Sequence, residues 1–211
     1  MSRSIETAPR LRIQGLSDLI FGLALSISAL TLIGQQPTNP EQFSFTLGLY
    51  GFSFLILISV WRLYSSITSI LPSETTVLSG LNYLLLFLVS VEPYLFNELF
   101  ANTAFGDIVS DVYAYDLAIM FVILAAFNHV LASEEKNLVG KGLLRRYRLS
   151  RNLCVLVGGI FVISTLPPLG STLVFSYTSG EATYGITVRS VLWISSLPVG
   201  WTRRLFNRGG R

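Results

Sequence analysis

Six apolar stretches, each close to the length of a membrane-spanning helix, follow one another along the 211-residue chain. They cover Gly15–Ile33, Phe43–Trp61, Val77–Leu95, Val112–Ala132, Asn152–Leu169 and Tyr184–Trp201. A helix needs roughly 20 apolar residues to cross the hydrocarbon core of a bilayer. Because no series of alternating strands is evident, the pattern predicts an all-α integral membrane protein with six transmembrane helices per subunit rather than a β-barrel.

The connections between these stretches are short, so we expect residues 1–211 to form one transmembrane domain. The fifth stretch ends at Pro167 and Pro168, and the sixth contains Arg189. The first stretch has Asp18 near its start, and no small-residue cleavage site closes it. It is therefore predicted to be the first transmembrane helix rather than a signal peptide.

The basic residues lie almost entirely on one side of this six-helix topology. Every lysine and arginine except Arg189 lies before the first helix, after the second, between the fourth and fifth, or after the sixth. The other three connections carry acidic residues and no basic ones, as Glu41, Asp107 and Glu181 illustrate. This positive-inside distribution predicts that both termini are cytoplasmic.

The composition and motifs argue against an enzyme. Hydrophobic residues make up 51% of the chain and charged residues only 13%, which favours a membrane protein. His129 is the only histidine and Cys154 the only cysteine, and HExxH, GxSxG and glycine-rich phosphate motifs are all missing. We therefore expect no catalytic residues, no metal site and no cofactor.

The basic loop over residues 136–151 has two interpretations. It could be a nucleic-acid-binding patch, but a loop beside the membrane that faces anionic lipid headgroups explains it without a further partner. We favour contact with lipid and expect no nucleic-acid partner.

The first predicted helix carries the most informative polar residues. Asp18 lies too deep in the apolar stretch to be a solvated flank, so it needs a cation or several hydrogen-bond donors. A structural network that fixes this helix to its neighbours is favoured over direct ion binding.

The residues that follow at steps of three and four share one helical face, namely Leu23, Ser26, Ile27 and Leu30. Periodicity alone favours lipid contact or packing for this face, with a pore lining as the alternative.

Three of the predicted helices also carry motifs of a known family. The first has Arg12-Ile-Gln-Gly-Leu16-Ser17-Asp18, the second has Ser53-Phe54, Trp61 and Tyr64, and the third has Asn82, Leu85, Phe87, Ser90 and Pro93. In these positions the sequence resembles the prokaryotic members of the endosomal/lysosomal potassium channel family, which are tetrameric cation channels without a TVGYG filter. Leu16 replaces a phenylalanine of the family pattern, and Tyr64 replaces a histidine.

The resemblance implies a function and a set of roles. The first helix would line a central pore, with Leu23, Ile27 and Leu30 as apolar rings and Ser26 in place of the family's threonine. A hydrogen-bonded network behind this helix would comprise Arg12, Ser17, Asp18, Trp61, Tyr64 and Asn82. The chain holds one set of six helices, so four copies would be needed, and we expect a homotetramer that conducts K⁺ passively across a prokaryotic plasma membrane.

Two other classes of function remain open. A secondary transporter usually shows related halves and broken helices at the membrane midplane, and no such internal repeat is evident here. A non-conducting membrane scaffold or accessory subunit would explain the departures at Leu16, Ser26 and Tyr64 as decay of the channel motif. Dependence of flux on a coupling-ion gradient would identify the transporter, and absence of flux would identify the scaffold.

Overall fold

The computed structural model describes residues 7–34, 40–70, 76–99, 106–133, 141–179 and 182–201. Within these ranges the chain is mostly helical. The helices are α1 (Thr7–Gly34), α2 (Pro40–Thr68), α3 (Thr76–Glu98), α4 (Gly106–Leu131), α5 (Lys141–Ser164), the short α6 (Pro167–Ser171) and α7 (Val188–Trp201). Two strands, β1 (Leu173–Ser179) and β2 (Ala182–Thr187), lie between α6 and α7.

The helices form one bundle around α4. This helix packs against α2, α3 and α5, while α1 packs against α2 and α3, and α7 against α5. The fully buried side chains are large and apolar, and they include Leu57, Leu85, Leu117, Leu124 and Phe161. Because backbone groups cannot bond to water inside a bilayer, helices that satisfy their own hydrogen bonds are the expected solution for such a sequence.

Four helical segments are long and apolar enough to cross a membrane. They are Thr46–Thr68, Thr76–Glu98, Asp107–Leu131 and Leu143–Ser164, which correspond to the second to fifth predicted spans. The apolar parts of α1 and α7, Gln14–Leu30 and Val188–Leu197, are shorter. The chain is thus an integral membrane protein with a helical fold. The count of six spans stays a prediction, and the predicted cytoplasmic tails at 1–6 and 202–211 lie outside the described residues.

The region after α5 differs from the predicted all-helical pattern. The fifth helix ends at Ser164 rather than Leu169 because Pro167 disfavours helical backbone at the residue before it, and Leu166 is extended with ψ of 129°. Residues 184–187, predicted as the start of the sixth span, belong to β2. The two strands pair antiparallel from Leu173 with Thr187 to Ser179 with Ala182, and a bulge lies between Leu173 and Phe175.

A buried arginine joins the elements at this end of the bundle. Arg189, the second residue of α7, is 7% exposed, and its Nε donates to the Ser164 carbonyl at 2.8 Å. Its Nη1 donates to Ser110 Oγ at 2.6 Å, and its Nη2 lies 2.9 Å from Asp111 Oδ1. A buried charge persists only when it is paired and hydrogen-bonded, and here α4 supplies the counter-charge. The arginine that interrupts the sixth predicted span is therefore a link between α4, α5 and α7.

Gly170→Ala should destabilise the fold through this arginine. A Cβ at Gly170 would lie 2.8 Å from Arg189 Nη2, so the guanidinium would have to leave its partners. We expect a loss of about 1–3 kcal/mol, the usual cost of leaving a buried polar group unpaired, seen as a lower thermal unfolding midpoint in detergent. Gly159→Ala is the control, because its Cβ would meet nothing within 4 Å. Equal midpoints for the two variants would contradict the assigned link.

Candidate pore helix and its hydrogen-bond network

One face of α1 is packed inside the subunit. The buried residues Ser17, Phe21, Ala24 and Ser28 recur at steps of four, three and four, so they lie on a single side of the helix. The Phe21 ring packs against Tyr64 of α2 with a centroid distance of 5.7 Å. This side of α1 faces α2 and α3.

The opposite face of α1 is apolar and uncovered in the single subunit. Leu23 is 53% exposed, Ile27 47% and Leu30 61%. Ser26 lies on the same face, and its Oγ donates to the Gly22 carbonyl at 2.8 Å, which leaves the oxygen lone pairs available to an external group. The four residues predicted to share a face therefore do share one, and it points away from the helices of their own subunit.

A chain of hydroxyl and amide groups ties α1 to α2 and α3. Ser17 Oγ and Tyr64 Oη are 2.7 Å apart, and Tyr64 Oη donates to Asn82 Oδ1 at 2.6 Å. Ser17 and Tyr64 are both buried, and because the tyrosine donates to Asn82, its oxygen is left to accept from the Ser17 hydroxyl. Three successive helices thus meet at one phenolic oxygen.

A second hydrogen bond joins α1 to α2 one residue further along. The indole Nε1 of Trp61 donates to Asp18 Oδ1 at 2.9 Å. Trp61 and Tyr64 are three residues apart, so both reach α1 from the same face of α2. Arg12 lies in α1, but its side chain is outside the described part of the structure. The structure therefore brings together five of the six residues predicted for this network.

These contacts determine how α1 is rotated about its own axis. An α-helix that is apolar all round has no preferred face in lipid, so hydrophobicity alone does not orient it. Ser17 and Asp18, adjacent in sequence and about 100° apart around the helix, each find a partner on α2. With both positions held, the face with Leu23 and Ile27 has to point outward.

Sequence reasoning missed a second polar cluster on the α3–α4 side. Glu92 of α3 is fully buried, and its Oε1 accepts hydrogen bonds from Ser53 Oγ at 2.9 Å and Tyr113 Oη at 3.1 Å. Asp116, three residues after Tyr113 on α4, is 5% exposed. The available signal was a carboxylate inside each of two apolar stretches, which is costly in a membrane and therefore informative. Within the described residues, no group of three His, Cys, Asp or Glu side chains is placed to hold a metal ion.

The long apolar helices and the hydrogen bonds between α1 and α2 define a helical membrane protein. Residues 12–93, which run from α1 into α3, match the family model described as "Endosomal/lysosomal potassium channel TMEM175". The resemblance to this family that the three helical motifs indicate is thereby confirmed.

A solved structure extends the similarity to most of the chain. The crystal structure of a lysosomal potassium-selective channel TMEM175 homolog from Chamaesiphon Minutus superposes with a TM-score of 0.57 at 17% sequence identity. The match covers 92% of this chain and 98% of the other, so the two proteins share a fold along nearly their whole lengths. The comparison with curated proteins finds no match.

Tyr64→Phe should weaken the attachment of α1. The change removes the oxygen that joins Ser17 and Asn82 but keeps the ring against Phe21. We expect a loss of about 1–2 kcal/mol and a lower thermal unfolding midpoint in detergent, because the buried Ser17 and the half-buried Asn82 each lose a partner. Tyr83→Phe is the matched control, since Tyr83 follows Asn82 on α3 and its side chain is exposed. If both variants melt at the same temperature, the tyrosine does not hold α1.

Proposed function

We propose that the chain is the subunit of a potassium-permeable cation channel in which α1 lines the pore. The observation that carries this proposal is the uncovered apolar face of α1, set opposite a face that is hydrogen-bonded to α2 and packed against α3. The family match over residues 12–93 and the shared fold with a potassium-selective homolog support it.

Four copies would close such a pore. One subunit offers a single face of α1, which cannot surround an ion, and closed cyclic symmetry is the usual way for identical chains to form a central channel. Each subunit would be one domain over residues 1–211 with six membrane crossings and both ends in the cytoplasm. The distribution of basic residues supports this orientation, and a prokaryotic plasma membrane suits it.

The gate would be hydrophobic. Leu23 and Ile27 are four residues apart, so fourfold rings of them would lie about 6 Å apart along the axis, with Leu30 a further turn along. A narrow stack of apolar rings excludes water and therefore ions, and it conducts when the rings move apart. Ser26, between the first two rings, would offer the hydroxyl oxygen that a partly dehydrated K⁺ needs.

The remaining predicted residues would support this pore rather than line it. Asp18 and Tyr64 would hold the rotation of α1 through their bonds to Trp61 and Ser17. At the cytoplasmic end of α5, Arg145, Arg146 and Arg148 are exposed. Their charge would bind the anionic headgroups of the inner leaflet. Of the basic loop predicted over residues 136–151, residues 136–140 lie outside the described residues, and residues 141–151 belong to α5 rather than to a loop.

Leu23→Ala should raise the basal flux of K⁺ several-fold in liposomes that contain the purified protein. Replacing four isobutyl side chains with methyl groups widens this ring and lowers the barrier to its hydration. Leu156→Ala on α5 is the matched control, because Leu156 is 54% exposed and Leu23 is 53% exposed. This control should conduct as the unchanged protein does, since its position would face lipid. Flux is measured by a potassium-sensitive dye with K⁺, Na⁺ and H⁺ tested in turn.

Three outcomes would contradict the proposal. An unchanged flux in Leu23→Ala would show that α1 does not form the barrier. Flux that requires a gradient of a second ion would indicate a secondary transporter. No flux of any ion through protein shown by native mass spectrometry to be a tetramer would indicate a non-conducting scaffold.

A further inference from the structure

The buried carboxylates of Glu92 and Asp116 have no role in the pore described above, yet they lie inside apolar helices, where a charge is costly. Glu92 is six residues before the end of α3, and Asp116 is ten residues after the start of α4. Both helices are candidate membrane spans. An ionised carboxylate in such a setting needs a counter-charge or several donors.

The two side chains lie at the same level on facing sides of α3 and α4. Helices joined by a short connection pack antiparallel, and the rings of Phe96 and Tyr113 meet across this pair at 5.9 Å. Glu92 is one turn before Phe96, and Asp116 is almost one turn after Tyr113, so the antiparallel arrangement puts them opposite each other. The bond from Tyr113 Oη to Glu92 Oε1 also places the glutamate against this face of α4.

Each carboxylate has one oxygen that is buried and has no hydrogen-bond partner. These atoms are Glu92 Oε2 and Asp116 Oδ2. Ser53 and Tyr113 donate only to the other oxygen of Glu92. Two buried acceptors without donors, on two acidic side chains that face each other, require a proton or a cation, because a buried acceptor without a donor costs about as much as a lost hydrogen bond.

The charged groups on the surrounding helices do not supply this occupant. On α7, Arg189 is directed at Asp111 and Ser110. On α5, Arg151 contacts Asn152 and His129. From α2 the contact is the neutral Ser53, and from α4 it is Tyr113, which is a donor and not a cation. Over the described ranges, neither carboxylate forms an ion pair with a lysine or arginine.

We propose that Glu92 and Asp116 form a proton-binding site inside each subunit that retains at least one proton at neutral pH. The proton turns one unpartnered oxygen into a donor and removes one of two buried charges. Two carboxylates with two hydroxyls offer too few ligands for a dedicated divalent site.

Infrared spectroscopy of the full-length protein in liposomes tests this site directly. At neutral pH we expect a carbonyl band of a protonated carboxylic acid that shifts in D₂O and disappears on alkaline titration. The double variant Glu92→Gln with Asp116→Asn should lose the band, because amides keep the shape but carry no acid proton. Asp107→Asn is the control and should keep it, since Asp107 is exposed in the first turn of α4.

The D₂O shift is measured on the unchanged protein, so this part of the test does not depend on whether a variant folds. Absence of a D₂O-sensitive acid band at neutral pH would overturn the proposal, as would a band that survives in the double variant. A second arm varies K⁺ at constant ionic strength. An unfolding midpoint that rises with K⁺ in the unchanged protein, but not in the double variant, would assign the site to a metal cation instead.

Discussion

The hydrogen bonds that hold α1 against α2, and that continue through Tyr64 to α3, are the interaction on which the orientation of the first helix depends. In lipid an apolar helix gains little from turning one apolar face rather than another toward its neighbours. Ser17 and Asp18 break this symmetry, because each is polar and each finds its partner on α2. The orientation of Leu23, Ser26 and Ile27 follows from that attachment rather than from their own hydrophobicity.

A second group of polar contacts organises the other side of the bundle. Arg189 links α7 to α4 and to the end of α5, and Trp193 donates to Ser164 Oγ at 2.8 Å one turn further along α7. The Trp193 and Tyr113 rings meet at 5.3 Å, and Tyr113 in turn donates to Glu92. Polar groups therefore join the helices at both ends, while apolar packing fills the space between them. This division is expected where unpaired polar groups cost more than they do in water.

Much of the helical architecture follows from the sequence because transmembrane helices are long, continuous and apolar. The stretches predicted at 43–61, 77–95 and 112–132 fall inside α2, α3 and α4 or within one residue of them. The resemblance to the family predicted which residues form the network. Tyr64 stands where the family pattern has a histidine, and its hydroxyl accepts from Ser17 and donates to Asn82.

The parts that could not be predicted share a physical cause. The β1–β2 hairpin lies in short runs of apolar and β-branched residues, which periodicity does not separate from the end of a helix. The buried pair of Glu92 and Asp116 comes from two separate stretches, and the alignment of α3 with α4 is needed to see that they oppose each other. The sequence shows that a carboxylate lies inside each apolar stretch, but only the tertiary structure shows that the two face each other.

Cysteine accessibility tests the orientation of α1 most directly. Ser26→Cys would place a thiol on the exposed face, whereas Cys154, the only native cysteine, is buried and makes the unchanged protein the control. If this face of α1 lines the pore, a water-soluble, positively charged thiol reagent blocks K⁺ flux through Ser26→Cys and leaves the unchanged protein unaffected. Robust flux through Ser26→Cys that the reagent does not reduce would show that this face of α1 is not in the ion path.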